Sequence, residues 1–305
     1  MKNKVVILGS TNVDQFLTVE RYAQPGETLH VEEAQKAFGG GKGANQAIAT
    51  ARMQADTTFI TKIGNDGVAD FILEDFKEAN IDTSYIIKTD EAKTGQAFIT
   101  VNAEGQNSIY VYGGANMTIT PEDVETAKDA IVKADFIVAQ LEVPIPAITS
   151  AFEIAKAHGV TTVLNPAPAK PLPDKLLSLI DIIVPNETEA ELLSGIKVTD
   201  ESSMQANADY FLSLGIKTVL ITLGKQGTYF ATRDHSQQIQ AYKVKAIDTT
   251  AAGDTFIGAF VSRLNKSQDN LEEAIDFGNK ASSFTVQKHG SQASIPLLEE
   301  VENKA

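Results

Sequence analysis

The chain has 305 residues, 43% hydrophobic and 22% charged, and its 26 Lys and Arg stand against 40 Asp and Glu for a net charge of −14. That length fits two domains or one large α/β domain with a substantial core, and the acidic balance excludes a protein that grips a nucleic-acid backbone through a basic face. With no cysteine, disulfides, cysteine–zinc sites, iron–sulfur clusters and thiol nucleophiles are excluded as well.

Read from the N-terminus, Val5–Gly9 is a compact apolar run. It is too short for a signal peptide, and nowhere does the chain approach the ~20 apolar residues of a membrane span. A cytoplasmic protein without a membrane partner is expected. Val5–Gly9 reads as a strand buried on both faces, and Thr57–Ile63, Asp135–Gln140, Val160–Asn165, Asp181–Pro185 and Thr218–Leu223 read the same way. Helical stripes lie between these strands. Ala44, Ala47, Ile48 and Ala51 form one, and Phe71, Ile72, Phe76 and Ala79 form another. A further helix starts after Pro121 with Thr120 as its N-cap and closes at Ala130–Lys133. The segments 145–157, 187–193, 203–214, 254–264 and 271–286 continue the helical pattern.

This alternation predicts an α/β fold: a doubly wound, mostly parallel central sheet flanked by helices. No linker interrupts it, so one domain is expected over 1–305. Two stretches break the pattern. Gln15–Val19 with Thr28–Gln35, and Ser84–Lys88 with Thr94–Val101 and Ser108–Tyr112, read as strands with no helix between partners, and Asn102–Gly105 reads as a hairpin turn. They predict a small inserted β-sheet, formed by segments of about 15–36 and 84–112, that serves as a lid over a site, a dimer contact, or both.

Several groups carry chemistry. Gly39–Gly43 with Lys42 and Asn45 opens the alanine-rich helix, where bare backbone approaches a ligand closely or simply turns from strand to helix. Gly43 stands where a Walker motif needs Ser or Thr, and the glycine spacing fails the dinucleotide fingerprint. Asp248-Thr249-Thr250-Ala251-Ala252-Gly253-Asp254 leads into an amphipathic helix. Its slim Ala-Ala-Gly run can form an amide hole for a developing anion, with Asp254 placed to accept a hydroxyl proton. A first-turn acid favoured by the helix dipole explains Asp254 equally simply.

Asn186-Glu187-Thr188-Glu189 follows a strand end, where carboxylates suit Mg²⁺ held through water, or where they cap a helix. Thr222–Gly227 is either a phosphate-accessible glycine loop or a hairpin turn. Asn12, Asp14, Gln140 and Glu142 lie at or just past strand ends and suit a polyol, whose hydroxyls both donate and accept. The four histidines are far apart and carry no metal spacing, and no G-x-S-x-G elbow appears.

Gly40-Gly41-Lys42-Gly43-Ala44-Asn45-Gln46-Ala47 and Asp248–Phe256 resemble the two signatures of the ribokinase-like carbohydrate kinase family. Asn165–Ala169, Pro185–Ala190 and Thr222–Gly224 resemble further family motifs in the same order, from residue 5 to about 296. The resemblance implies ATP-dependent phosphorylation of D-ribose at O5, with Asp254 as base and the amides of Ala251, Ala252, Gly253 and Asp254 as anion hole. It places Asn12, Asp14, Gly40, Gly41, Lys42, Asn45 and Glu142 on the sugar. It places Asn186, Thr222, Gly224, Gly227, Gly253 and Asn279 on ATP, with Glu189 near a hydrated Mg²⁺. It also implies a K⁺-type monovalent cation with oxygen ligands from Asp248, Thr250, Thr285, Lys288, Gly290 and Ser294. The two inserted β-stretches, whose exposed edges call for a cover, lead to the expectation of a homodimer joined through the β lid. A kinase for another small sugar or a nucleoside, and a non-catalytic sugar- or nucleotide-binding regulator, are the alternatives.

Overall fold

The computed structural model describes residues 2–34 and 37–303. The strands are β1 (Lys4–Leu8), β2 (Asn12–Thr18), β3 (Glu33–Ala34), β4 (Phe38–Gly40), β5 (Asp56–Gly64), β6 (Ile86–Thr89), β7 (Gly95–Val101), β8 (Asn107–Tyr112), β9 (Phe136–Gln140), β10 (Thr161–Asn165), β11 (Ile182–Ile183), β12 (Thr218–Thr222), β13 (Thr228–Ala231) and β14 (Ser236–Ile239). Among the described residues, nine of them form one sheet in the order β14-β13-β12-β11-β10-β9-β1-β5-β6. It is parallel except for β13 and β14, which close one end as an antiparallel pair.

Alternate side chains of each inner strand enter opposite layers. Val5, Ile7, Phe136 and Val138 pack towards the helices Lys42–Arg52, Asp70–Glu78, Ala252–Arg263 and Leu271–Thr285. Val6, Leu8, Ile137 and Ala139 pack towards the helices Ile145–Ala157 and Glu201–Ser213 on the other face. Burial on both faces is why these strands read as unbroken apolar runs. The chain order reverses beside β1, which has β5 on one side and β9 on the other. A crevice therefore opens at the carboxyl ends of β1 and β9, the place where such sheets take ligands. Among the described residues, no helix is long and apolar enough to cross a membrane.

The second sheet runs β3-β2-β7-β8 with β4 also on β2, and its β2–β7 pair is parallel. The inserted β-sheet is present, but its boundaries differ from expectation. Ser84–Lys88 does not belong to it: β6 lies at the edge of the main sheet, parallel to β5. The helix Asp70–Glu78 between β5 and β6 makes that pair a crossover unit, and strand patterning alone cannot say which sheet an edge strand joins. In this second sheet β2 already starts at Asn12, and β4 draws part of the glycine run into it. Among the described residues of Thr28–Gln35, Glu33–Ala34 is the strand that pairs with β2; Gln35 lies outside the described residues. The helix after Pro121 is two pieces, Pro121–Thr126 and Lys128–Val132, that share Ala127 as a joint, and Thr120 caps the first through a reciprocal box with Asp123.

Candidate active site

The glycine run places the first wall of the site. Gly41, at φ +89°, is the N-cap of the helix Lys42–Arg52, a backbone state that glycine takes at little cost. A Cβ on Gly43 would stand 2.5 Å from backbone atoms of Gly9 and Ser10, so only glycine lets the helix rest on the end of β1. A Cβ on Gly40 would stand 2.1 Å from Asp14 Oδ2, so that carboxylate lies against bare backbone. Asp14, Lys42 and Asn45 consequently face one cleft of about 1,170 Å³, which Glu142, Glu189 and Asp254 also line.

The start of the helix Ala252–Arg263 lies beside that first wall. Ala251 sits in the left-handed region at φ +59°, ψ 9°, a state that costs an L-residue ~1 kcal/mol or more. No side chain caps this helix, and a Cβ on Gly253 would meet nothing within 4 Å. The bare segment 251–253 therefore opens onto the cleft rather than onto packed protein. Asp254 follows in the first turn, buried, with both oxygens held: Asn45 Nδ2 donates to Oδ2 at 3.0 Å and Gln46 Nε2 to Oδ1 at 2.9 Å.

The remaining charges shape the field. Burial, and then the charges of Glu142 and Asp254, push the Asp14 pKa up to about 7. Burial works against the charge on Lys42, but Asp254, Glu142 and Glu189 together hold its pKa above the ordinary value. Glu142 Oε2 accepts from Ser10 Oγ and, at 3.0 Å, from the Lys42 amide, which ties the end of β9 to the glycine turn. Burial raises the pKa of Glu189 against the opposing pull of the Asn186 amide and Lys42.

The nucleotide-side residues divide. Asn186 and Glu189 form a helix-capping box: Asn186 N and Nδ2 donate to the Glu189 carboxylate at 2.9 Å, and the Glu189 amide donates back at 2.8 Å. Both also line the cleft with Thr222, so capping and ligand-facing placement coincide. Gly224 and Gly227 belong to a hairpin turn between β12 and β13, where a Cβ on Gly227 would lie 2.0 Å from Ile239 O, and neither reaches the cleft wall. Asn279 does not reach it either. Its Oδ1 accepts from Thr228 Oγ1 at 2.8 Å and its Nδ2 donates to Ile239 O at 3.2 Å, so the amide is consumed in binding helix to sheet.

Of the expected cation ligands, Asp248, Thr250 and Gly290 meet. Asp248 accepts from Thr250 N and Oγ1 and from Gly290 N, and these bonds outweigh burial and hold its pKa low. Thr285 Oγ1 pairs with Thr255 Oγ1 at 2.9 Å, Ser294 Oγ donates to Ser291 O at 2.7 Å, and Lys288 Nζ is drawn to Glu300 at 2.9 Å. Those three residues can offer such an ion only carbonyl oxygen or a redirected hydroxyl. Among the described residues, no three His, Asp or Glu groups cluster to hold a metal.

Asn12 stands behind Asp14 with its Oδ1 accepting from Asn116 Nδ2 at 2.8 Å. Ser10, Gln46, Asn116 and Asn165 carry site contacts that sequence reasoning did not assign. Gln46 lies inside the glycine-turn signature and Asn165 inside a second motif, but nothing local marks Gln46 as a partner of Asp254 or Asn165 as a partner of Gln46.

Residues 2–298 match the model of the pfkB family carbohydrate kinases. The chain belongs to this family. The chain is 89% identical over 301 residues to a ribokinase of Staphylococcus aureus, covering 99% of both. It is 45% identical over 300 residues to a ribokinase of Haemophilus influenzae, covering 98% of this chain and 97% of that one. A solved Arabidopsis thaliana ribokinase complexed with ribose and ATP superposes with a TM-score of 0.92 at 30% identity, over 99% of this chain and 98% of that chain. In this pfkB family kinase, both signature segments line the cleft and meet at Asp254.

Proposed function

We propose that this chain transfers the γ-phosphoryl group of ATP to O5 of D-ribose. The observation that carries the reading is the meeting of a doubly held carboxylate, Asp254, with an uncapped helix tip at residues 251–253, in a chain 89% identical to a ribokinase. Asn45 Oδ1 is buried without a partner beside them, an acceptor that suits a sugar hydroxyl.

In this reading Asn12, Asp14, Lys42, Asn45 and Glu142 bind the sugar, with Gly40 and Gly41 as the floor. Asp254 accepts the O5 proton as the oxygen attacks in line, and the amides at the helix tip meet the charge spreading over the transferred group. Asn186 and Thr222 stand on the ATP side, with Gly224 and Gly227 shaping the turn behind them. Glu189 is the carboxylate fitted to Mg²⁺ through water, and the ion when bound offsets phosphate charge. The oxygens of Asp248, Thr250, Thr285, Lys288, Gly290 and Ser294 suit a hard monovalent ion such as K⁺, a donor set that includes one ionised carboxylate and no nitrogen or sulfur. The lid joins two copies into a homodimer, and the enzyme works in the cytoplasm.

The test is ATP turnover across ribose, deoxyribose, fructose and nucleosides, with and without K⁺. Ribose supports the fastest turnover, K⁺ raises it, and Asp254→Asn lowers kcat by ~10²–10⁴-fold in a folded protein. Near-normal turnover by that variant, or a nucleoside outpacing ribose, overturns the reading.

A further inference from the structure

The amides behind Asp254 form a directional relay. Gln46 Nε2 donates to Asp254 Oδ1 at 2.9 Å and to Asn165 Oδ1 at 3.2 Å, while Gln46 Oε1 accepts from Gln140 Nε2 at 2.6 Å. Asn165 spends its Nδ2 on Val184 O at 2.9 Å, which turns its oxygen towards Gln46. Gln46 and Gln140 are both 0% exposed. The directions of the two glutamine amides follow from the carboxylate. An ionised carboxylate only accepts, so Gln46 must present its NH₂, its oxygen must face Gln140, and Gln140 must donate.

One atom loses by this arrangement. Gln140 Oε1 is buried with no partner, accommodated because residue 9 is glycine: a Cβ there would lie 2.1 Å from it. Turning the Gln140 amide over would set two carbonyl oxygens face to face. Packing alone does not select a buried, unpaired oxygen, and a nonpolar side chain of the same length would fill the space without one.

We propose that Gln46 and Gln140 are positioning residues for phosphoryl transfer. Gln140 fixes which way the Gln46 amide points. Gln46, opposite Asn45, then fixes the plane of the Asp254 carboxylate so that a free lone pair meets the acceptor hydroxyl. The inference rests on Asp254 being the base.

The test uses the full-length enzyme with ribose and ATP and compares Gln46→Met, Gln140→Met, the double variant and Asp254→Asn by kcat, KM and thermal midpoint. Gln46→Met lowers kcat by about 10- to 100-fold and Gln140→Met by about 3- to 10-fold, with both KM values within about threefold. The double variant is no slower than Gln46→Met, because Gln140 acts only through Gln46. Gln140→Met keeps its thermal midpoint within a few degrees, since it removes one orphaned oxygen and leaves another on Gln46; it therefore reads the relay even if Gln46→Met folds poorly. Full kcat in Gln140→Met, losses that multiply in the double variant, or a rise in KM alone overturns the relay. Normal turnover by Asp254→Asn overturns the base itself, and an inactive Asp254→Asn beside normal glutamine variants overturns the relay alone.

Discussion

Asp14 brings its carboxyl group into a cleft that already holds Glu142 and Asp254, and desolvation followed by those two charges lifts its pKa from 3.8 to about 7. The folded chain therefore binds this proton more tightly than the unfolded chain. Its contribution to stability is neutral below about pH 4, becomes a cost as pH rises towards 7, and levels off above that. Each pH unit in the window corresponds to ~1.4 kcal/mol. Asp14→Asn should therefore be more stable than the parent at pH 8, by on the order of a few kcal/mol in denaturant melts, with the gap narrowing below pH 7 and closing near pH 4. Sugar binding should move the opposite way. If the ionised form accepts from sugar hydroxyls, ribose KM rises about tenfold from pH 8 to pH 6 in the parent and stays flat in Asp14→Asn. A parent KM that does not change over this range removes Asp14 from the sugar contacts. Asp14, Lys42, Asn45 and Asp254 were legible in the sequence because each sits in or beside a distinctive local pattern. Gln46 and Gln140 were not legible as a pair, since their contacts join positions 208 and 94 residues apart.

At the scale of elements, the geometry turns on how the helix Lys42–Arg52 seats on β1. Gly43 meets Gly9 and Ser10 so closely that any side chain must push the helix outward. That helix carries Asn45 and Gln46, so the displacement would be passed to the carboxylate they hold. Gly43→Ala should lower kcat by more than ~10²-fold and stability by roughly 1–3 kcal/mol, read from turnover and from denaturant melts on the same preparation. A variant with normal kcat would show that the seat is not what sets the site. Strand and helix order was legible because burial on both faces writes long apolar runs, and helices write stripes. The sheet membership of β6 was not, since Ile86 and Ile87 would look the same at the edge of either sheet. The break at Ala127 was also hidden, because its two short helices share one apolar stripe formed by Val124, Ala127 and Ile131.

Across the whole molecule, the lid leaves a problem that the single chain does not solve. Among the described residues β8 ends its sheet with no strand on its outer edge, and four consecutive residues stay exposed: Ile109 at 54%, Tyr110 at 67%, Val111 at 58% and Tyr112 at 49%. Ile109 and Val111 face the cleft, so Tyr110 and Tyr112 point to the other side of the strand. An edge strand that is apolar on both faces invites pairing unless something covers it. A second copy can cover it by laying its own lid across this one, which would also shield the mouth of each cleft from water. In sedimentation equilibrium the parent should then weigh twice its 32.7 kDa. Tyr110→Asp should shift that equilibrium to the monomer at micromolar concentration, because a carboxylate would have to be desolvated in the contact. Ribose KM should rise with dissociation, whereas kcat at saturation should change less, since Asp254 and the helix tip belong to the main body of each chain. A parent that sediments as a monomer, or a Tyr110→Asp dimer of unchanged strength, would show that the lid is not the contact and leave it only the role of closing the cleft of its own chain.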